Sequence, residues 1–140
     1  MAPAATDGPR IDAVGLVAGD VAATVGFYRR LGTAFPEGST DGLHVEGDLG
    51  GVRLMIDSHA MLVGLGLDDG SGAPSRDRPR HGISLAARCA SPEAVDELYA
   101  RLDADGFGVS PPWDAAWGQR YAVVTDPDGT QVDLYAALPT

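Results

Sequence analysis

The chain carries one pattern twice. "FYRRL" (Phe27 to Leu31) lies over "LYARL" (Leu98 to Leu102) at an offset of 71 residues, and the same offset places Asp20 over Ser91. Asp and Ser are favoured helix N-caps, because their side chains accept from the free N–H groups of the first turn. Behind Asp20, the residues Val21, Val25, Tyr28 and Leu31 recur at helical spacing, and Gly32 ends the run. Behind Ser91 and the first-turn proline Pro92, the residues Val95, Leu98, Tyr99 and Leu102 do the same, with a stop near Gly106. "IDAVGLV" (Ile11 to Val17) and "HGISLAA" (His81 to Ala87) read as strands ahead of the two helices. Short strand-like runs follow them: Leu43 to Gly47 and Val52 to Asp57, then Gln119 to Thr125 and Gln131 to Ala136. The arrangement predicts two βαβββ modules, residues 11–58 and 81–137, within one domain spanning 1–140. Residues 59–80 join them, and "GLDDGSGAPSRDRPR" (Gly66 to Arg80) has the Gly, Ser, Pro and charge content of an exposed connection.

Composition narrows the partners. A length of 140 residues with 44% hydrophobic content suffices for one domain with a substantial core. The formal charge of -10 repels phosphate backbones and anionic lipid, so neither nucleic acid nor a membrane is an expected partner. No apolar run reaches membrane-spanning length, and the opening "MAPAATDGPR" lacks the apolar region of a secretory signal. Cys89 stands alone, which excludes an intrachain disulfide and suits a reducing compartment; a cytoplasmic protein is expected.

The repeat, with "GDVAATVGFYRRLG" early, "SPEAVDELYARL" later and "DPDGTQVDL" near the end, resembles the vicinal-oxygen-chelate superfamily, which holds the glyoxalase I, bleomycin-resistance and extradiol-dioxygenase proteins. The resemblance runs from Ile11 almost to the C-terminus. It implies an α+β fold in which the paired modules form a cupped mixed sheet with the helices outside, often assembled across a homodimer. Metal enzymes of the superfamily place one ligand on the first strand, one on the last, and two at related positions in the other module.

Strand alternation separates the faces. In Gln131 to Ala136 the apolar Val132, Leu134 and Ala136 are expected to pack on a helix, leaving Gln131, Asp133 and Tyr135 on the concave side. By the same rule Val52, Leu54 and Ile56 are core, and Arg53, Met55 and Asp57 face the cup. Val14, Leu16, Ile83 and Leu85 are assigned to the core, and Ala13, Gly15, Val17, Gly82, Ser84 and Ala86 to the concave side. Asp133 stands where the metal enzymes carry an acidic ligand. Ala13 and Ser84, however, stand where they usually carry histidine or a partner ligand, and one or two carboxylates do not hold a catalytic cation. No metal cofactor is expected. The alternative is a divalent metal ion held by Asp133, Asp57 and His81 in a lyase, isomerase or dioxygenase. His44 and Glu46, two apart, read as a solvated strand face rather than as ligands; His59 reads as exposed, and Cys89 as an inert thiol.

"PPWDAAWGQRYAV" (Pro111 to Val123) places Trp113 and Trp117 in an irregular segment ahead of a strand that carries Tyr121. Rings beside a cup offer stacking faces for flat or cationic compounds. The resulting expectation is a metal-free, homodimeric small-molecule-binding protein that sequesters an aromatic or cationic compound such as an antibiotic. Its expected ligand-binding residues are Arg53, Met55, Asp57, Ser84, Trp113, Trp117, Tyr121, Asp133 and Tyr135, with Arg53 as a possible counter-charge to Asp133. No catalytic residue is assigned.

Overall fold

The structure, a computed structural model, describes residues 8–38, 42–78 and 82–140; His81 lies outside them. Each helix forms where its cap predicts. Asp20 accepts from the Ala23 N–H at 3.3 Å and starts α1 (Val21–Arg30), while Ser91 accepts from the Ala94 N–H at 3.1 Å and starts α3 (Pro92–Ala104). Gly32 at φ 92 and Gly106 at φ 90 carry the chain out of these helices in a conformation that other residues rarely adopt.

The strands form two mixed sheets. In the first, β1 (Ala13–Ala18) runs parallel to β3 (Val52–Ser58), and β2 (His44–Leu49) pairs antiparallel on the far side of β3, giving the order β1-β3-β2. In the second, β4 (Ser84–Arg88) runs parallel to β7 (Gln131–Ala137), followed by β6 (Gln119–Thr125) and β5 (Gly108–Ala115), in the order β4-β7-β6-β5. Parallel neighbours need a crossover, and α1 and α3 supply it. The α+β architecture of paired modules expected from the sequence is therefore present.

The modules differ at one edge. In the second, the segment expected to be irregular is the edge strand β5, which tolerates Pro111 and Pro112 because an edge strand need not donate from every N–H. Its ladder with β6 shifts register twice, between Gly108 and Ser110 and between Ser110 and Trp113. In the first module the described residues at the corresponding place beside β2 form an isolated bridge, Ala34 to Asp48. Gly32, Pro36 and Gly38 interrupt the chain there. The connection between modules begins with a short helix, α2 (His59–Gly64), so His59 is not a free strand exit: its ring meets Asp68 at 3.0 Å. Two residues expected in the core are outside it. Val52, which opens β3 after a Gly50–Gly51 turn, is 45% exposed, and Ile83, which precedes β4, is 77% exposed.

Among the described residues no strand of one sheet is hydrogen-bonded to a strand of the other. A single apolar core spans both modules instead, with Val25, Phe27, Leu54 and Ile56 from the first and Val95, Leu102, Val132 and Leu134 from the second. Phe27 meets Phe107 edge-on with centroids 4.9 Å apart, and Arg30 pairs with Asp105 at 2.9 Å.

Beneath that contact, the closing turn of the second module is bonded to the first. Asp126 uses one carboxylate oxygen to accept from its own turn, from Asp128 N–H at 2.9 Å and Thr130 N–H at 2.8 Å. The other accepts from the Tyr28 hydroxyl at 2.8 Å. Asp128 accepts from the Thr24 hydroxyl at 2.5 Å and the Gly19 N–H at 2.9 Å. Burial, with the Asp126 and Asp128 charges behind it, pushes the Tyr28 phenol far above its ordinary range, so it remains a donor. Tyr28→Phe keeps the packing and leaves a buried carboxylate oxygen without its donor. It is expected to lower unfolding free energy by about 1–3 kcal/mol, the cost of an unsatisfied buried group. Urea denaturation at neutral pH checks this, and an unchanged midpoint would show that the bond is not needed.

Candidate functional site

Alternation sets two opposed faces on each sheet. In the first, Leu54 and Ile56 on β3 and Val45 on β2 are buried in the core, so Arg53, Met55 and Asp57 share the opposite face with His44, Glu46 and Asp48. That face is a chain of charges. His44 Nδ1 lies 2.5 Å from Asp57 and Nε2 lies 2.8 Å from Glu46; Arg53 then reaches Glu46 at 2.9 Å and Asp12 at 3.2 Å. Hydrogen bonds to Glu46 first and Asp57 second raise the His44 pKa above the ordinary imidazole value. The expected pairing of Arg53 with Asp133 is not made, because Arg53 is taken up by carboxylates of its own module.

The second sheet is different in kind. Val132, Leu134 and Ala136 on β7, with Ala122 and Val124 on β6, are buried on the side that α3 covers. The other side carries Ser84, Ala86 and Arg88 on β4, Gln131, Asp133 and Tyr135 on β7, Val123 and Tyr121 on β6, and Trp113 on β5. Asp133 faces this side, as alternation predicts, but it is only 7% exposed. It accepts from the Tyr121 hydroxyl at 2.5 Å, the Gln131 amide at 2.8 Å and the Ser84 hydroxyl at 3.4 Å. Burial and then the bond to Asp133 push the Tyr121 phenol up to about 12, so at neutral pH it is a donor locked onto that carboxylate.

Tyr121 is the hub of an aromatic cluster. Its ring lies 5.3 Å from Trp113, 5.3 Å from Trp117 and 6.4 Å from Tyr135, the last nearly parallel at 28°. Trp113 lies on β5, not in a loop, and Trp117 occupies the turn into β6, its indole N–H donating to Gln119 at 3.0 Å. Trp113 is 37% and Trp117 61% exposed, so both offer ring surface to solvent. The four rings form an open shelf. Six of the nine residues expected at the site, Ser84, Trp113, Trp117, Tyr121, Asp133 and Tyr135, are thus brought together, while Arg53, Met55 and Asp57 lie on the other sheet.

The ladders also fix which positions are equivalent. Gly15 pairs with Met55 in the first module, and its counterpart Ala86 pairs with Asp133 in the second. Met55 is therefore the counterpart of Asp133, as Ala13 is of Ser84. Among the described residues no three His, Cys, Asp or Glu side chains are placed to hold a metal ion. Burial raises the Cys89 thiol pKa, which leaves it a poor nucleophile. Sequence reasoning missed Arg88, although the alternation that exposes Ser84 and Ala86 continues to it.

The model of the Glyoxalase/Bleomycin resistance protein/Dioxygenase superfamily matches residues 10–134. No curated protein matches the chain. Among solved structures, a glyoxalase/bleomycin resistance protein/dioxygenase from Nocardioides shares 27% identity over 96% of this chain and 87% of its own, with a TM-score of 0.71. A family enzyme of the same description from Burkholderia phytofirmans PsJN shares 20% identity over 93% of this chain and 100% of its own, with a TM-score of 0.76. A lactoylglutathione lyase from Agrobacterium tumefaciens shares 22% over 94% and 96%, with a TM-score of 0.62. The duplicated modules, their strand order and the match over 10–134 together establish that the chain belongs to the glyoxalase/bleomycin resistance protein/dioxygenase superfamily.

Proposed function

We propose that this protein binds a planar aromatic small molecule against the shelf of Trp113, Trp117, Tyr121 and Tyr135, without a metal ion, and acts by holding that compound. The observation that carries the reading is the shelf itself. Two indoles, Trp113 on β5 and Trp117 in the turn into β6, are partly exposed, and the phenol between them is held by a buried carboxylate. Such rings offer large apolar area at little cost in side-chain entropy. Aromatic packing supplies the affinity, and the Asp133–Tyr121 bond keeps the hub ring in place.

A resident divalent ion does not fit these residues. Of the four module-related positions, Ala13 and Met55 offer no hard donor, Ser84 donates to Asp133, and Asp133 already accepts from three groups. In the alternative set, Asp57 is bonded to His44 on the other sheet, and His81 lies outside the described residues.

Trp113 and Trp117 keep ring surface exposed, and among the described residues no further strand pairs with the outer edge of β1, β4 or β5. A second copy would supply a facing wall and cover those edges, so the working form is proposed to be a two-fold homodimer. No helix among the described residues is long and apolar enough to cross a membrane.

Three measurements test the reading. Titration with naphthylmethanol, a neutral planar probe, is expected to shift the Trp113 and Trp117 indole N–H resonances saturably, and Trp113→Ala is expected to weaken binding by about 0.5–1.5 kcal/mol. Unmoved indole signals at millimolar probe would sink the aromatic-binding reading. Metal analysis of the purified protein is expected to find no stoichiometric divalent ion and no gain in Tm on adding one; a one-to-one ratio lost on Asp133→Ala would overturn it. Light scattering is expected to give twice the chain mass of 14.4 kDa, and a monomer mass at micromolar concentration would refute the dimer.

A further inference from the structure

The shelf belongs to a longer row. Tyr135 pairs with Tyr121 across β7 and β6, Tyr121 pairs with Trp113 across β6 and β5, and on the other flank Arg88 of β4 is the ladder partner of Tyr135. One rung of the second sheet therefore reads Arg88, Tyr135, Tyr121, Trp113 across all four strands. Neighbouring strands lie about 4.7–4.9 Å apart, so Arg88 occupies the β4 end of a row whose next three positions are rings.

Arg88 is also uncommitted. Leu85 and Ala87 of β4 pack against the core, which leaves Arg88 exposed on the shelf side with Ser84 and Ala86. Among the described residues no carboxylate lies within ion-pair distance of it, whereas Arg30, Arg53 and Arg120 are each paired. In a chain of net charge -10, an exposed guanidinium without a carboxylate partner, in the same row of the sheet as the rings, gives that face a positive end. The carboxylate on the same face, Asp133, is buried and bonded to Tyr121, Gln131 and Ser84, so it is not presented to a ligand.

From this rung we infer that the ligand is a planar aromatic compound bearing an anionic group, a carboxylate or its equivalent, with the ring on Tyr121 and Trp113 and the anion on Arg88. This rests on the aromatic-binding reading above and names the charge of its ligand, where the sequence alone led to an aromatic or cationic compound. Arg suits the task because its planar fork donates two parallel bonds to a carboxylate. Asp133 stands diagonal to Arg88, one rung away, and repels an anion placed above it. That repulsion favours the Arg88 end of the row and disfavours binding across the middle of the sheet.

The test uses three probes of one shape, naphthoate, naphthylmethanol and naphthylmethylamine, titrated into the full-length protein by calorimetry and by the indole N–H resonances. Naphthoate is expected to bind about tenfold more tightly than the amine, the scale of one charge-assisted hydrogen-bonded pair. Arg88→Gln is expected to abolish that preference while leaving naphthylmethanol affinity unchanged, and Arg88→Lys to restore part of it. Arg88 is exposed, so these variants should keep the wild-type circular dichroism. Equal binding of the three probes, or preference for the amine, overturns the inference and leaves the aromatic shelf standing. A preference that survives Arg88→Gln removes Arg88 from the site. If no probe binds, the aromatic-binding reading fails and this inference fails with it.

Discussion

Two buried carboxylates, Asp126 and Asp128, hold the halves of this molecule in register. They sit in the turn that closes the second module and accept from Tyr28, Thr24 and Gly19 of the first, across 98, 104 and 109 residues of sequence. Among the described residues the two sheets share no ladder, so this turn carries the buried directional part of their union, beside the exposed Arg30–Asp105 pair, while the core around Phe27 and Phe107 supplies the non-directional part. Burying charge is costly, and the cost is met only where donors are complete. Here both Asp126 oxygens are bonded, one by the turn and one by the phenol. Gly129, at φ 87, allows the chain to fold tightly enough to present those N–H groups.

Once the modules are fixed, their inner faces are free to differ. The rung that reads Arg88, Tyr135, Tyr121, Trp113 in the second sheet reads Val17, Asp57, His44 in the first. Rings stand in one copy where charges stand in the other. The first face satisfies itself, with each ring nitrogen of His44 on a carboxylate, Asp57 or Glu46, and Arg53 shared between Glu46 and Asp12. The second face leaves its polar and apolar ends exposed. The duplicated backbone thus supports one internally compensated sheet and one whose rings and Arg88 stay exposed.

Local signals made the frame legible. Asp20 and Ser91 cap as such residues do, Gly32 and Gly106 stop the helices, and period-two alternation assigned the faces of β3 and β7 correctly. Alternation failed at strand ends, where Val52 and Ile83 are exposed. Composition misled at Pro111 and Pro112, because prolines argue against a central strand but not against an edge. The link between Tyr28 and Asp126 was illegible for another reason. Tyr28 falls in an apolar stripe and Asp126 in a turn motif, and only the packing of one module on the other brings hydroxyl to carboxylate. Arg88 was legible in principle, since it is the next outward residue after Ala86.

Asp133 shows how a position can keep its residue type while its chemistry changes. On the last strand, facing inward, an acidic side chain can serve as one of several ligands to a cation, provided that its neighbours leave its oxygens free and other donors converge. Around Asp133 the neighbours do the opposite. Tyr121 and Ser84 donate hydroxyls and Gln131 an amide, and the counterpart position in the other module holds Met55. The carboxylate is then an acceptor that orients a ring, and that ring is the surface on which the proposed ligand would rest. Asp133 therefore serves fold and site by one bond, because the hydroxyl that satisfies its buried charge belongs to the residue on which Trp113, Trp117 and Tyr135 all converge.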